Sequence, residues 1–470
     1  MWTGLAGVRI NDVLPDDVLL HIFHFHSDRL TYLDGPEDVD PPLRWHRLVH
    51  VCRRWRSVVF ASPNFLDLNL VCGPSTRVGL MGIWPPFPII LRNMVNFPMH
   101  EYYDFNAAIV HPNRVREINL FHLSRSQLQR LASSMQKQYP ALMHLMLAID
   151  VFHSQADWVL PNGFLGGSAP RLQTFTLDSI PFPALPKLLL SATDLVRLTL
   201  RNIPHSGYIS PETIVTSLAV LANLRFLTIE FEFPISRGGS RPRAASLTRT
   251  VLPTLTCLRF RGVSEYLEDL VARIDAPLLD NIWINFFHQL IFDIPQLAQF
   301  MERTTRFQAL DEAHVDFEYC GVKVGYLPRT GNFDEKAVLR ILCGEFSQQL
   351  SSLTQVSTSL FPRISMVEHL YIYQLRHLRS GWKDNIEIMQ WLEIFRPFIA
   401  ARSLYVSATF ARCIAPTLQE FIGANLLPAL ERLFVEGLQP SGPIQEAIGQ
   451  FVAARQFLGH PVAVSRWNRT

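Results

Sequence analysis

Three histidines within one short stretch, His21, His24 and His26, are the first candidates for chemistry, because clustered imidazoles can hold a transition metal. Residues 21 and 26 fall on different helical faces, and no acidic or cysteine partner is spaced to complete a site. They read as surface or interface histidines. Asp16 and Asp17 offer two carboxylates for general acid–base work, but neighbours in a helix point apart, and their simpler role is to favour the helix's positive end. Trp55 has the ring to stack on a ligand or to anchor a helix in a core. The glycine-rich run from Asn162 to Ser168 does not join a strand to a helix at phosphate-loop spacing, so it reads as a loop. The cysteines at 52, 72, 257, 320, 343 and 413 are scattered without a Cys-x-x-Cys pair, which argues against a disulfide framework or a zinc site. No nucleophile elbow, Walker loop, kinase set or dinucleotide fingerprint is present. The expectation is a protein that is no enzyme, with no cofactor and no metal.

If the residues do no chemistry, the elements that position them must bind. From Leu14 to Phe23 the chain has a proline suited to a helix's first turn, two acids near its positive end, and apolar residues at 18, 19, 22 and 23. From Trp45 to Phe60, Leu48, Val51, Cys52, Trp55 and Val59 recur at three-to-four-residue steps opposite a face of arginines, and Ser62-Pro63 ends the helix. This pairing of Leu14-Pro15-x-Asp17 with Val51-Cys52-Arg53-x-Trp55 resembles the F-box family. The resemblance implies that Leu14, Pro15, Val18, Ile22, Leu48, Val51, Cys52 and Trp55 form the contact with a Skp-type adaptor, or the core supporting it. Through that adaptor the protein would join a cullin ubiquitin ligase. The segment between His26 and Arg44 is longer than the family's usual link and rich in acids and prolines, so it reads as a solvated excursion. The stretch from Ile83 to Leu91, soon after Phe65 to Leu70, resembles F-box proteins of mushroom-forming fungi.

A chain of 470 residues that is 48% hydrophobic is long enough for a small module plus something extended. Lys+Arg of 43 against Asp+Glu of 41 leaves a formal charge of +2, which gives no global case for nucleic acid or an anionic membrane. The apolar stretches are broken well short of a membrane span, and the N-terminus lacks a leader pattern. The chain therefore reads as intracellular, in cytoplasm or nucleus.

Behind the docking module one pattern recurs: apolar, two residues, apolar, one residue, apolar. Matches begin at Val115, Leu142, Leu172, Leu195, Leu224, Leu255, Leu279, Leu310, Val367, Ala401 and Leu430. They lie roughly thirty residues apart, and one interval, after Leu310, is about two units long. This is a loosened leucine-rich-repeat rhythm, in which the fourth and sixth positions face a core and the following segment returns outside. Ser124-x-x-Gln127 spells a capping box, Ser210-Pro211-Glu212 opens another helix, and Leu267, Leu270, Val271 and Ile274 share one helical face. The expected fold is α/β: an N-terminal helical module over residues 10–65, a connecting segment over 66–112, and an irregular leucine-rich-repeat-like solenoid over 113–460, with a parallel concave sheet and outer helices.

The fifth position of each match faces away from the core. In the second half it turns aromatic or cationic, which places the expected target-binding surface on Arg259, Trp283, His314, Tyr371, Tyr405 and Phe434, with Tyr373 joining the same face. The competing reading tucks these rings into a closed core. The function expected is a substrate-recognition subunit of a ubiquitin ligase holding an unknown protein target, without nucleic acid or membrane; the alternative is a repeat scaffold outside any ligase. The basic, turn-rich stretch from Ser236 to Ser246 reads as an exposed loop.

Overall fold

A computed structural model describes residues 13–29, 44–72, 85–93, 106–149, 158–234, 249–328, 336–360, 365–374, 388–439 and 441–468. The excursion before Arg44 and the basic loop from Ser236 to Ser246 lie outside the described residues, apart from the excursion's first few positions. The chain divides into two compact units, Met1–Leu195 and Val196–Thr470.

The N-terminal unit opens with helices α1 (Asp16–Arg29), α2 (Arg44–Val49) and α3 (Arg53–Ala61). The α1 helix buries Leu19 and Phe23, and α3 buries Val58 and Val59. The side chain of Cys52 caps α3 by accepting from the Trp55 amide at 3.5 Å, satisfying one of the orphan donors of a helix start. Strands β1 (Leu70–Cys72), β2 (Ile89–Arg92), β3 (Val115–Leu123), β4 (His144–Ile149) and β5 (Thr174–Asp178) follow, each pairing parallel with the next. The segment expected only to connect, 66–112, thus contributes two strands: β2 pairs with β3 and carries the apolar Ile89 and Leu91 into the core. The capping box is present, with the Ser124 hydroxyl accepting from the Gln127 amide and the Gln127 side chain accepting from the Ser124 amide. The glycine-rich run holds a 3-10 turn, Phe164–Gly167, that buries Phe164 and Leu165.

The C-terminal unit contains β6 (Arg197–Ile203), β7 (Phe226–Phe231), β8 (Thr250–Val251), β9 (Cys257–Gly262), β10 (Ile274–Asp275), β11 (Asn281–Phe287), β12 (Glu312–Glu318), β13 (Gly321–Leu327), β14 (Ala337–Leu342), β15 (His369–Gln374), β16 (Ser403–Val406), β17 (Arg432–Glu436) and β18 (Ala463–Trp467). The small β8 and β10 pair with each other, and the rest are ordered 6-7-9-11-14-13-12-15-16-17-18. Pairing is parallel except at β13, which runs antiparallel to both β12 and β14. The long interval after Leu310 is therefore not two plain repeat units. It holds a hairpin that folds back so that β14 lies beside β11. Ile274 is buried as expected but stands in β10, because the helix before it, Ser264–Val271, ends three residues sooner.

Every match of the sequence pattern lands on a strand or its entry, and the fourth and sixth residues of each are buried, as in Leu227 and Ile229, Leu258 and Phe260, or Leu404 and Val406. Helices cover that face. In one interlocking example, Phe317 packs 5.1 Å from Phe346 and 5.0 Å from Phe410, with Trp391 5.5 Å from Phe410, centroid to centroid. The opposite face of the strands carries the fifth positions.

Candidate functional site

Two surfaces present the residues singled out by sequence. The first is built on α1. A helix turns 100° per residue, so Val18, Ile22 and Phe25 share one side while Leu19 and Phe23 occupy another. The structure separates them accordingly: Leu19 and Phe23 are buried, whereas Val18, Ile22 and Phe25 are 38%, 46% and 59% exposed. What reads in sequence as one apolar face is a core stripe and an exposed stripe side by side. Phe25 lies on the same exposed side, and its spacing from Ile22 is the signal that could have found it. Val13 and Val51 are exposed apolar residues as well.

The other residues expected at this surface divide between contact and support. Pro15 is exposed and Leu14 half-buried, while Leu48 is buried at 6% exposure and belongs to the interior. Cys52 is spent on the cap of α3. Trp55 is half-buried with its ring 4.6 Å from Phe23, so it braces α3 against α1. Asp16 does more than favour a helix end: its carboxylate accepts from Arg54 at 2.6 Å, and Arg54 also donates to the Leu14 carbonyl at 2.6 Å. Both partners are partly exposed, so the pair fixes the geometry of the α1 start more than it adds stability. His21 and His24 lie 5.4 and 5.2 Å from the Phe65 ring, packing against it as apolar edges. Trp45 anchors the helices to the strands behind them, with its ring 5.4 Å from Phe87 and its indole N–H donating to the Asn69 carbonyl at 3.0 Å.

The second surface is the open face of the C-terminal unit. Parallel register puts His314 opposite Tyr371, Tyr371 opposite Tyr405, and Tyr405 opposite Phe434. These side chains stack as a ladder across β12, β15, β16 and β17, with centroid separations of 4.2, 4.1 and 4.4 Å and interplanar angles of 20°, 10° and 4°. Trp467 on β18 closes over the ladder 5.7 Å from Tyr405, and the Tyr373 hydroxyl lies 3.4 Å from His314 Nδ1. All four ladder residues are half-buried, neither core nor free. Tyr371 and Tyr405 are stacked on both faces, and His314 and Phe434 each give one face to the stack, so the inner rings present their edges. Burial, with Glu312 and Tyr405 nearby, pushes the Tyr371 phenol above its ordinary value, and it stays neutral. On the other side of the hairpin, Trp283 is 40% exposed and Arg259 lies over its ring at 5.4 Å. The sequence-expected residues therefore fall into two groups, the ladder and the Arg259–Trp283 pair.

Neither surface holds a reactive constellation, and among the described residues no group of three or more His, Cys, Asp or Glu could hold a metal ion. Among them, too, no helix is long and apolar enough to cross a membrane. Residues 12–63, the module that carries the first surface, match the family model of the F-box-like domain. No curated protein matches the chain.

Proposed function

Starting from an F-box-like domain at residues 12–63, we propose that the chain is the substrate-recognition subunit of a Skp–cullin–F-box ubiquitin ligase. Its N-terminal module docks a Skp-type adaptor, and its C-terminal unit, an irregular leucine-rich-repeat-like solenoid, holds a protein target. The chain performs no chemistry itself; it raises the target's local concentration near the loaded ubiquitin enzyme. The observation that supports the reading most is the exposed apolar pair Val18 and Ile22 on the domain that matches the family. Val18 and Ile22 are 38% and 46% exposed, so a partner that buries them adds roughly half of the roughly 1.5–3 kcal/mol that full burial of such a side chain is worth, about 1 kcal/mol each.

Docking is tested by co-purification with a Skp-type adaptor. The Val18→Asp, Ile22→Asp double variant alters side chains that point outward, so it should lose adaptor binding while melting like the parent. Retained binding would remove the docking assignment.

A further inference from the structure

The open face of β6, β7, β9 and β11 carries four arginines, Arg197, Arg201, Arg259 and Arg261, against a single carboxylate, Glu230. Glu230 leans toward Arg201, with its Oε2 3.8 Å from Nε. The other three arginines rest on rings instead of acids. Arg197 lies 3.9 Å from the centroid of Phe226, Arg259 5.4 Å from that of Trp283, and Arg261 5.2 Å from that of Phe287. Phe226 is the register partner of Arg197, and Trp283 that of Arg259. A ring attracts a guanidinium through its quadrupole and fixes its plane, but it takes up none of the N–H donors as a carboxylate would. Arg261 Nε is buried without a hydrogen-bond acceptor. Arg259 shares a side-chain hydrogen bond with Cys257 but, among the described residues, none of the three meets a carboxylate, so the face holds oriented cationic forks that lack an acidic partner.

We propose that this face binds an extended acidic segment of a partner protein, with separate Asp or Glu carboxylates each met by one ring-held arginine. The inference rests on the reading that the open face receives the target, and it supplies the target's chemistry. Charge complementarity selects an acidic occupant. The separate rings then decide which kind. Arg259 and Arg261 are two residues apart on one strand, about 7 Å, and Arg197 lies two strands away, about 10 Å across the sheet. Guanidinia pinned at these distances do not converge on one dianion, whereas an extended peptide repeats its same-side groups at that same two-residue spacing. A single-stranded nucleic acid would need free ring faces for its bases. Here Phe226 and Trp283 carry guanidinia, and the inner ladder rings Tyr371 and Tyr405 are stacked on both faces.

The test uses the full chain and fluorescent peptides of alternating Glu and Ser, with three controls: the same peptide with Gln for Glu, a Gln/Ser peptide with one phosphoserine, and an oligothymidylate. The Glu peptide should bind at least about tenfold more tightly than the Gln peptide, and Arg259→Gln with Arg261→Gln should remove most of that difference. Arg259→Lys with Arg261→Lys keeps the charge but lacks the fork, and should recover only part of the binding; it keeps the test decisive if the Gln variant melts early. Equal binding of Glu and Gln peptides, tighter binding of the phosphoserine peptide, tighter binding of the oligonucleotide, or full binding by both variants would each overturn the proposal. Adaptor binding is measured on the same samples. Lost peptide binding with intact adaptor binding defeats this inference alone, and the reverse result defeats the ligase reading and leaves the acidic-segment face standing.

Discussion

Trp55 and Val18 belong to the same family motif but act differently. Trp55 packs on the buried Phe23 and braces two helices, whereas Val18 faces outward. Trp55→Ala should therefore lower the stability of the N-terminal module by about 2–4 kcal/mol, short of the full cost of a buried tryptophan because the ring is only partly covered. Thermal unfolding of Trp55→Ala beside Val18→Asp separates support from contact; equal melting of the two variants would contradict the division. Glu268 provides a pH-dependent case. It sits at the start of the helix Pro295–Arg303, where its carboxylate accepts from the Gln296 and Leu297 amides, both at 2.8 Å. Burial pushes its carboxyl up to about 7 although the two amides pull the other way. The folded chain therefore holds this proton more tightly than the unfolded chain does. The contribution is full below the ordinary value of 4.5 and is lost as pH rises through about 7. Its size is at most about 3 kcal/mol. Glu268→Gln cannot titrate, so the melting temperature of the parent, measured relative to that variant, should fall between those two pH values. A constant difference across that range would refute the assignment.

At the scale of elements, the aromatic ladder couples four strands. Stacked pairs add about 0.5–1.5 kcal/mol each beyond the area they bury, and Tyr371→Ala with Tyr405→Ala removes all three stacks. The double variant should melt a few degrees lower without losing its fold, and should lose target capture. Wholesale unfolding would show that the rings serve the core alone. The ladder was legible in sequence because the fifth positions of successive matches are fixed once the fourth and sixth are buried: Tyr371, Tyr405 and Phe434 had to fall side by side if the strands paired in register. The hairpin of β12, β13 and β14 was not legible. Its turn, Tyr319-Cys320, is no recognised hairpin dipeptide. The determinant is Gly321, where an added Cβ would collide with the Ile341 carbonyl, and that close approach exists only once β14 has folded back. On the docking module, periodicity identified the apolar residues but could not divide Leu19 and Phe23 from Val18 and Ile22, because the division depends on where α3 packs. The Arg54–Asp16 pair was hidden for the same reason, since it joins residues far apart in sequence, whereas the Cys52 cap is local to α3 and was hidden because cysteine is not among the preferred capping residues.

At the scale of the whole molecule, the formal charge of +2 conceals two surfaces of opposite physical character. The stripe on α1 is apolar, so an adaptor seated on it is held mainly by the removal of hydrocarbon from water, which salt leaves unchanged or strengthens. The arginine face has four cations against one carboxylate within four strands, so an acidic segment seated there is held by charge that salt screens. Raising ionic strength from about 0.05 to about 0.5 M shortens the screening length from roughly 14 to roughly 4 Å. Acidic-peptide affinity should accordingly drop by about tenfold or more while adaptor affinity holds within about twofold. Binding isotherms for both partners on one preparation measure this directly. Parallel losses for both would mean that the adaptor surface is electrostatic and that the stripe of Val18, Ile22 and Phe25 is not what holds it. Salt-independent peptide binding would mean that the arginines stay on their rings and the segment is gripped elsewhere.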